Sequence, residues 1–221
     1  MPIEIVRPPA ESAVVHVIDD DESLCAALQR LFRSVGLESV AYQTARAFID
    51  SAPQSRPGCI VLDVRMPGIN GLDLQAQLGE LGITLPVVLM TGYGDIPMTV
   101  RAMKAGAVDF LSKPFRDQDM LDAVAAAIER DRQRRSTEGR SAGLRERFAA
   151  LSPREQQVMV LVTAGRLNKQ VAAALGISEV TVKIHRSAAM RKMAARTLAD
   201  LVRMADELRL SAEQAAGRAD S

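Results

Sequence analysis

The stretch Cys59-Ile-Val-Leu-Asp-Val-Arg-Met-Pro-Gly-Ile-Asn-Gly71 constrains this chain more than any other. Cys59 to Leu62 is an unbroken apolar run, as expected of a strand covered on both faces. It ends on one carboxylate, Asp63, after which Met66-Pro67-Gly68 turns the chain. A charged residue at the carboxyl end of a buried strand sits where open α/β sheets place their ligands. Taken alone, Asp63 is explained as well by a strand-ending acid that caps the next turn.

The residues around it decide the matter. Val14 to Ile18 is a short β-branched run that ends in Asp19-Asp20-Asp21-Glu22, with His16 inside it as a packed core histidine. Ser23 introduces Leu24, Ala27, Leu28, Leu31 and Phe32 at helical spacing, stopped near Gly36. Ser39 to Tyr42, Leu85 to Met90 and Val108 to Leu111 read as further strands. Helices are expected over Ala45 to Ala52, Leu72 to Leu81 and Ile96 to Ala105, and from Asp117 through Ile128. Strands alternate with helices five times, so the fold is α/β with a doubly wound, five-stranded parallel sheet.

In such a sheet every strand's carboxyl end lies on one edge. The first strand delivers Asp19 and Asp20 there, the third Asp63, the fourth Thr91 and the fifth Lys113. Clustered carboxylates raise one another's pKa unless a cation neutralises them. Oxygen ligands from few side chains suit Mg²⁺, which keeps several waters and commonly bridges to phosphate. A hydroxyl and an ammonium opposite would hold phosphoryl oxygens. Asp63 would be the nucleophile that forms an aspartyl phosphate.

Asp19-Asp20, Asp63 with Met66-Pro67 and Gly71, Thr91-Gly92 and Lys113-Pro114-Phe115 resemble the receiver domain of bacterial response regulators. Ala102 to Phe110 is similar to the FixJ branch in particular. The resemblance implies that Asp63 accepts a phosphoryl group from a histidine kinase, with Asp20, Asp63 and the backbone carbonyl of Arg65 holding Mg²⁺ and Asp19 acting mainly through a coordinated water. It makes Thr91 and Phe110 a switch pair, and it implies a cis Lys113-Pro114 bond.

The net charge of +1 hides an asymmetry. Residues 1–129 hold 10 basic and 17 acidic side chains, residues 130–147 hold 7 and 3, and residues 148–208 hold 9 and 5. An acidic first half joined to a basic second half points to two domains with different partners. A receiver is expected over 13–129, a partly helical linker over 130–147 with Ser136 to Gly143 flexible, a helical domain over 148–210, and a disordered tail over 211–221. The Arg-rich run at 130–135 reads as solvated linker.

Beyond Phe148 the pattern is wholly helical. Ser152-Pro-Arg-Glu155 is a capping box, and Gly176-Ile177-Ser178 is the tight turn of a helix-turn-helix. In the next helix Val182, Ala189 and Met193 share one face, and Lys183, Ile184, Ser187 and Arg191 fall on the other. A basic, partly apolar face of that kind suits the major groove, where Lys reads guanine and an aliphatic group touches the thymine methyl. Leu151 to Leu208 resembles the LuxR-type DNA-binding domain through Leu151 to Glu155, Asn168-Lys169, Leu175 to Ser178, Thr181 to His185 and Leu201 to Ala205. The resemblance puts Lys183, Ile184 and Ser187 at base-reading positions. It puts Asn168, Lys169, Thr181 and His185 at backbone-contacting or helix-fixing ones. Ala173 and Ala174 depart from the longer polar residues of that family. The last helix is expected to dimerise through Leu201 and Val202.

Together these give a cytoplasmic two-component response regulator, phosphorylated at Asp63 by a sensor histidine kinase. It would dimerise, bind double-stranded promoter DNA and engage RNA polymerase. No apolar run approaches the roughly 20 residues of a membrane span. Residues 1–9 lack a secretory apolar core, and Cys25 and Cys59 read as reduced core residues. One alternative is a DNA-binding regulator whose receiver is not used as a phosphorylation switch. Another is an enzyme that passes through an aspartyl phosphate, for which no phosphate-binding Gly-rich loop is present; the only activity expected is self-catalysed phosphotransfer and slow autodephosphorylation.

Overall fold

The computed structural model describes residues 12–51, 56–92 and 95–210. The expected disordered tail over 211–221 lies outside the described residues, as do residues 1–11. The chain divides into two compact units between Arg135 and Ser136.

In the first unit five parallel strands run in the order β2-β1-β3-β4-β5. They are β1 (Val14–Ile18), β2 (Glu38–Tyr42), β3 (Gly58–Asp63), β4 (Val87–Thr91) and β5 (Asp109–Ser112). Between them run α1 (Glu22–Ser34), α2 (Ala45–Asp50), α3 (Gly71–Gln77) and α4 (Ile96–Lys104), and α5 (Asp117–Ala149) follows β5. The alternation expected from the sequence is therefore present. β4 starts two residues later than its apolar run, because Pro86 has no N–H for the ladder.

Period-two side-chain alternation divides the core into two layers. Val15, Val17, Cys59, Val61, Val88 and Met90 pack with Cys25, Leu28 and Phe32 of α1 and with Met120, Val124 and Ala127 of α5. Ile18, Ile60, Leu62, Val87 and Leu89 pack on the other face with Phe48, Leu72, Leu74 and Ala102 of α2, α3 and α4. Fully burying each Val, Leu, Ile, Phe or Met among them stabilises by about 1.5–3 kcal/mol. The apolar runs of β1 and β3 are explained by this double coverage.

His16 is a packed core residue, 7% exposed. Its ring stacks on Tyr42 and meets Phe48 edge-on, and Nδ1 lies 3.3 Å from the Tyr42 hydroxyl. Burial, aided by the Arg56 charge, lowers its pKa to about 4. Both cysteines are free and buried; burial first, then nearby acids, pushes Cys25 up to about 11 and Cys59 to about 12.

Two expectations for the middle of the chain need correction. Ser136 to Gly143 is not a flexible linker but part of α5, which continues to Ala149. Gly139 and Gly143 each cost about 1 kcal/mol of helix propensity, and Leu144 and Phe148 just beyond them pack into a hydrophobic core of the second unit. The Arg-rich run is not wholly solvated either. Asp131 within it is fully buried. Its carboxylate accepts from the Gly58 N–H at 3.1 Å and pairs with Arg134 at 2.6 Å and Arg135 at 2.7 Å. Arg135 in turn donates to the Arg56 carbonyl. This tethers α5 to the amino end of β3.

Asp131→Ala would strand the buried Gly58 N–H and remove the carboxylate that Arg134 and Arg135 share, at an expected cost of about 3 kcal/mol in urea unfolding. Arg134→Ala, at a partly exposed pair, should cost under about 1 kcal/mol. His16 has a folded-state pKa below its ordinary 6.5, so its contribution to stability is present above 6.5 and lost as pH falls toward about 4. His16→Gln should flatten this acid limb by about 2 kcal/mol, measured as unfolding free energy against pH.

Candidate functional site

The strand order creates a switch point between β1 and β3, from which the chain leaves in opposite directions. Register places Ile18 opposite Leu62, so Asp19 and Asp63 emerge side by side. Asp63 lies opposite Met90, with Thr91 next, and Thr91 lies opposite Ser112. Lys113 follows, its N–H bonded to the Thr91 carbonyl at 2.7 Å. The four sequence-predicted residues Asp19, Asp63, Thr91 and Lys113 thus share one edge.

Lys113 joins the acids. Its Nζ lies 2.6 Å from Asp19 Oδ2 and 2.7 Å from Asp63 Oδ1. The second Asp63 oxygen, Oδ2, accepts from the Arg65 N–H at 2.7 Å, and Asp19 Oδ1 accepts from the Asp21 N–H at 2.9 Å. Asp19 is 1% and Asp63 4% exposed, and Thr91 is fully buried. Burial raises the Asp63 pKa, reinforced by Asp19 and opposed by Lys113 and the Arg65 N–H. For Lys113, burial pulls downward, but its two carboxylate partners prevail and hold it above the ordinary value. Phe110 is half-buried against the layer that contains Leu62 and Leu89. The Lys113–Pro114 bond is cis.

Gly71 has a local reason. A Cβ there would stand 2.2 Å from the Asp63 carbonyl oxygen, so only glycine lets α3 start against the end of β3. The Gly71 N–H closes this approach on the Val64 carbonyl at 2.9 Å.

Asp20 is exposed and lines an open depression with Arg65 and the Val64–Asn70 loop. Of the four consecutive acidic residues, Asp21 caps α1 by accepting from Ser23 and Leu24 N–H. The sequence does not separate that role from those of Asp19 and Asp20. Among the described residues no three carboxylate, imidazole or thiol groups converge enough to bind a metal by themselves. Asp20, Asp63 and the Arg65 carbonyl supply oxygens only, and few of them. That donor set fits Mg²⁺, which retains water and shares itself with phosphate. A buried carboxylate with a fixed ammonium beside it is suited to attack phosphorus, the ammonium meeting the charge of the transferred oxygens.

In the second unit, α6 (Pro153–Thr163), α7 (Asn168–Leu175), α8 (Glu179–Met193) and α9 (Leu198–Glu207) form a helical domain. The expected capping box is present at Ser152 and Glu155. Glu155 also pairs with Lys192 at 2.7 Å, which ties α8 to the start of α6. The Lys192 hydrogen bond, with the Ser152 N–H, holds the Glu155 carboxyl below its usual value. Gly176, at φ 65°, turns α7 into α8, and Ser178 caps α8 by accepting from the Thr181 N–H.

Val182, Ala189 and Met193 are buried, whereas Lys183, Ile184, Ser187 and Arg191 are exposed. Ile184 is 62% exposed. Lys169 is exposed, and Asn168, Thr181 and His185 are half-buried. Thr181 bonds Ser178 through its hydroxyl at 2.8 Å, which is a helix-fixing contact. Arg186, absent from the predicted set, reaches Asn168 Oδ1 at 3.4 Å. Leu201 overturns an expectation: it is fully buried with Leu144, Met159 and Met193, so it packs this unit's own core and cannot face a mate. Leu198 is 44% exposed and Val202 half-buried.

Two families match. The response regulator receiver domain covers residues 15–125, and the luxR family of bacterial regulatory proteins covers 149–205. Nodulation protein W of Bradyrhizobium diazoefficiens is 58% identical over 200 residues, 90% of this chain and 88% of that one. The transcriptional regulatory protein FixJ of Rhizobium meliloti is 42% identical over 191 residues, 86% of this chain and 94% of that one. Among solved structures, the response regulator StyR is 44% identical and superposes with a TM-score of 0.81, over 89% of this chain and 99% of that one.

Because the folded-state pKa of Asp63 is raised, its protonation favours the fold, and that contribution is lost as pH climbs through the raised value. Asp63→Asn should therefore stabilise the receiver at neutral pH, read as a higher midpoint in thermal or urea unfolding, rather than destabilise it.

Proposed function

The chain belongs to the FixJ-like response regulators, a receiver domain joined to a LuxR-type DNA-binding domain, and we propose that phosphoryl transfer to Asp63 sets how tightly it holds promoter DNA. The single observation that supports this most is the Lys113 ammonium, 2.6 Å from Asp19 and 2.7 Å from Asp63. It is a fixed countercharge beside a buried carboxylate, where added phosphoryl oxygens must be neutralised.

The donor is a phosphohistidine of a sensor kinase. A carboxylate oxygen of Asp63 attacks phosphorus, the P–O bond forms as the P–N bond breaks, and the imidazole leaves with the electron pair and takes up a proton. Lys113 follows the transferred oxygens, while Asp19 and the Arg65 N–H keep the acceptor oriented. Asp20, Asp63 and the Arg65 carbonyl are the residues that would hold Mg²⁺, with Asp19 acting mainly through a water; the ion would supply charge neutralisation there. Thr91 then hydrogen-bonds the new group and Phe110 packs inward behind it. Hydrolysis of the acyl phosphate resets the site slowly, and no external substrate is turned over.

Altering Thr91 and Phe110 reshapes α4 and β5. On α4 Ile96 is 81%, Val100 45% and Met103 46% exposed, an i, i+4, i+7 apolar stripe suited to a second phosphorylated copy. Pairing would present two α8 helices to half-sites about one helical turn apart. Lys183, Ile184, Ser187 and Arg191 enter the major groove, and Asn168, Lys169, Thr181 and His185 hold the backbone or the helix. Promoter-bound dimers then engage RNA polymerase in the cytoplasm.

With Mg²⁺ and a small-molecule acyl phosphate, intact mass should show one phosphoryl group on the wild type and none on Asp63→Asn. Promoter affinity should rise about tenfold or more on phosphorylation. An Asp63→Asn protein that bound as tightly as the phosphorylated wild type would sink the coupling.

A further inference from the structure

We infer that Val180 is a specificity-determining residue of the DNA-binding unit, and that with Ile184 it reads the 5-methyl groups of two separate thymines in the major groove. The inference rests on the DNA-binding reading and adds a residue and a chemical feature of the target.

The argument begins with exposure. Val180 is 67% and Ile184 62% exposed on α8, while Val182 between them is fully buried. Leaving two branched apolar side chains in water forgoes the stabilisation that burial would bring, and neither joins the core groups of Val182 or Met193. At about 100° per residue, Val180 points about 160° away from Val182, at the middle of the outward face. Ile184, Ser187 and Arg191 follow it on the same face, with Lys183 at its side.

Val180 also stands second in the helix, two residues after the Ser178 cap. The first turn of a recognition helix is the part that meets base edges. Valine has no donor or acceptor, so the only base feature it can favour is the thymine methyl. Its lack of rotamer freedom makes that contact stiff. Val180 and Ile184 lie one helical turn apart, about 6 Å along the axis. That exceeds the roughly 3.4 Å rise of one base step, so they touch methyls on different base pairs. Lys183 lies beside this apolar pair and Arg191 follows it two turns on, basic neighbours that suit DNA and not an apolar protein partner.

The test removes one methyl at a time from the DNA. Sites are selected from a random duplex pool by the full-length protein, phosphorylated with an acyl phosphate in Mg²⁺. Each thymine is then replaced by uracil, and affinities are measured at one salt concentration for wild type, Val180→Ala and Ile184→Ala. Wild type should lose about fourfold at two or more thymines. The penalty at one of them should vanish in Val180→Ala, and the penalty at a different one in Ile184→Ala. Val180→Thr, which keeps one methyl, should restore part of the first penalty. An unchanged uracil profile in Val180→Ala, with wild-type selection intact, overturns the inference alone. Failure of the wild type to select any sequence overturns the DNA-binding reading and the inference with it.

Discussion

Everything at the receiver's edge depends on one ammonium held between two buried carboxylates. Asp19 and Asp63 leave adjacent strands in register, and without a cation they would repel in a medium of low dielectric. Lys113 supplies that cation at 2.6 and 2.7 Å. The balance is incomplete, since burial still raises the Asp63 pKa and Asp20 stays outside the Lys113 pairing. The edge therefore keeps an excess of negative charge, which favours a divalent cation and resists an unaccompanied phosphate. The same residues that look like a structural salt bridge are thus arranged for chemistry.

How much of this the chain reveals on its own depends on locality. Asp19, Asp63, Thr91 and Lys113 are legible because each closes or follows a short apolar run, and parallel topology sends all such ends to one edge. Gly71 is legible as a motif residue, but its reason, a Cβ 2.2 Å from the Asp63 carbonyl, is a fact of backbone approach. Asp131 is not legible. It lies among arginines, a pattern that ordinarily means solvent, and what buries it is the Gly58 N–H 73 residues away. The length of α5 fails for a related reason: two glycines and a polar run suggest a break, yet tertiary contacts of Leu144 and Phe148 outweigh local propensity.

The helical unit shows the complementary limit. Apolar periodicity shows which residues avoid water but not what they pack against. Leu201 follows the same pattern as an interface leucine and is instead sealed in its own core. Val180 is the reverse case, an apolar residue set opposite the buried face of its helix and left uncovered. Glu155 stands between these extremes. Its capping role is written in four consecutive residues, whereas its clamp on Lys192, 37 positions later, is a product of the fold.

The Lys113 bridge spans 94 positions to Asp19 and 50 to Asp63. Contacts of such long range are costly to close and lie out of reach of any fragment that ends before Lys113. A chain still emerging from the ribosome displays Asp63 well before Lys113 has been synthesised. Until β5 is laid down, Asp63 is only an acid at the end of an unfinished sheet. If Asp63 is the phosphoryl acceptor proposed above, competence to receive the signal is a certificate of synthesis: a copy that stops before β5 would be mute, and would draw no phosphoryl groups away from intact copies.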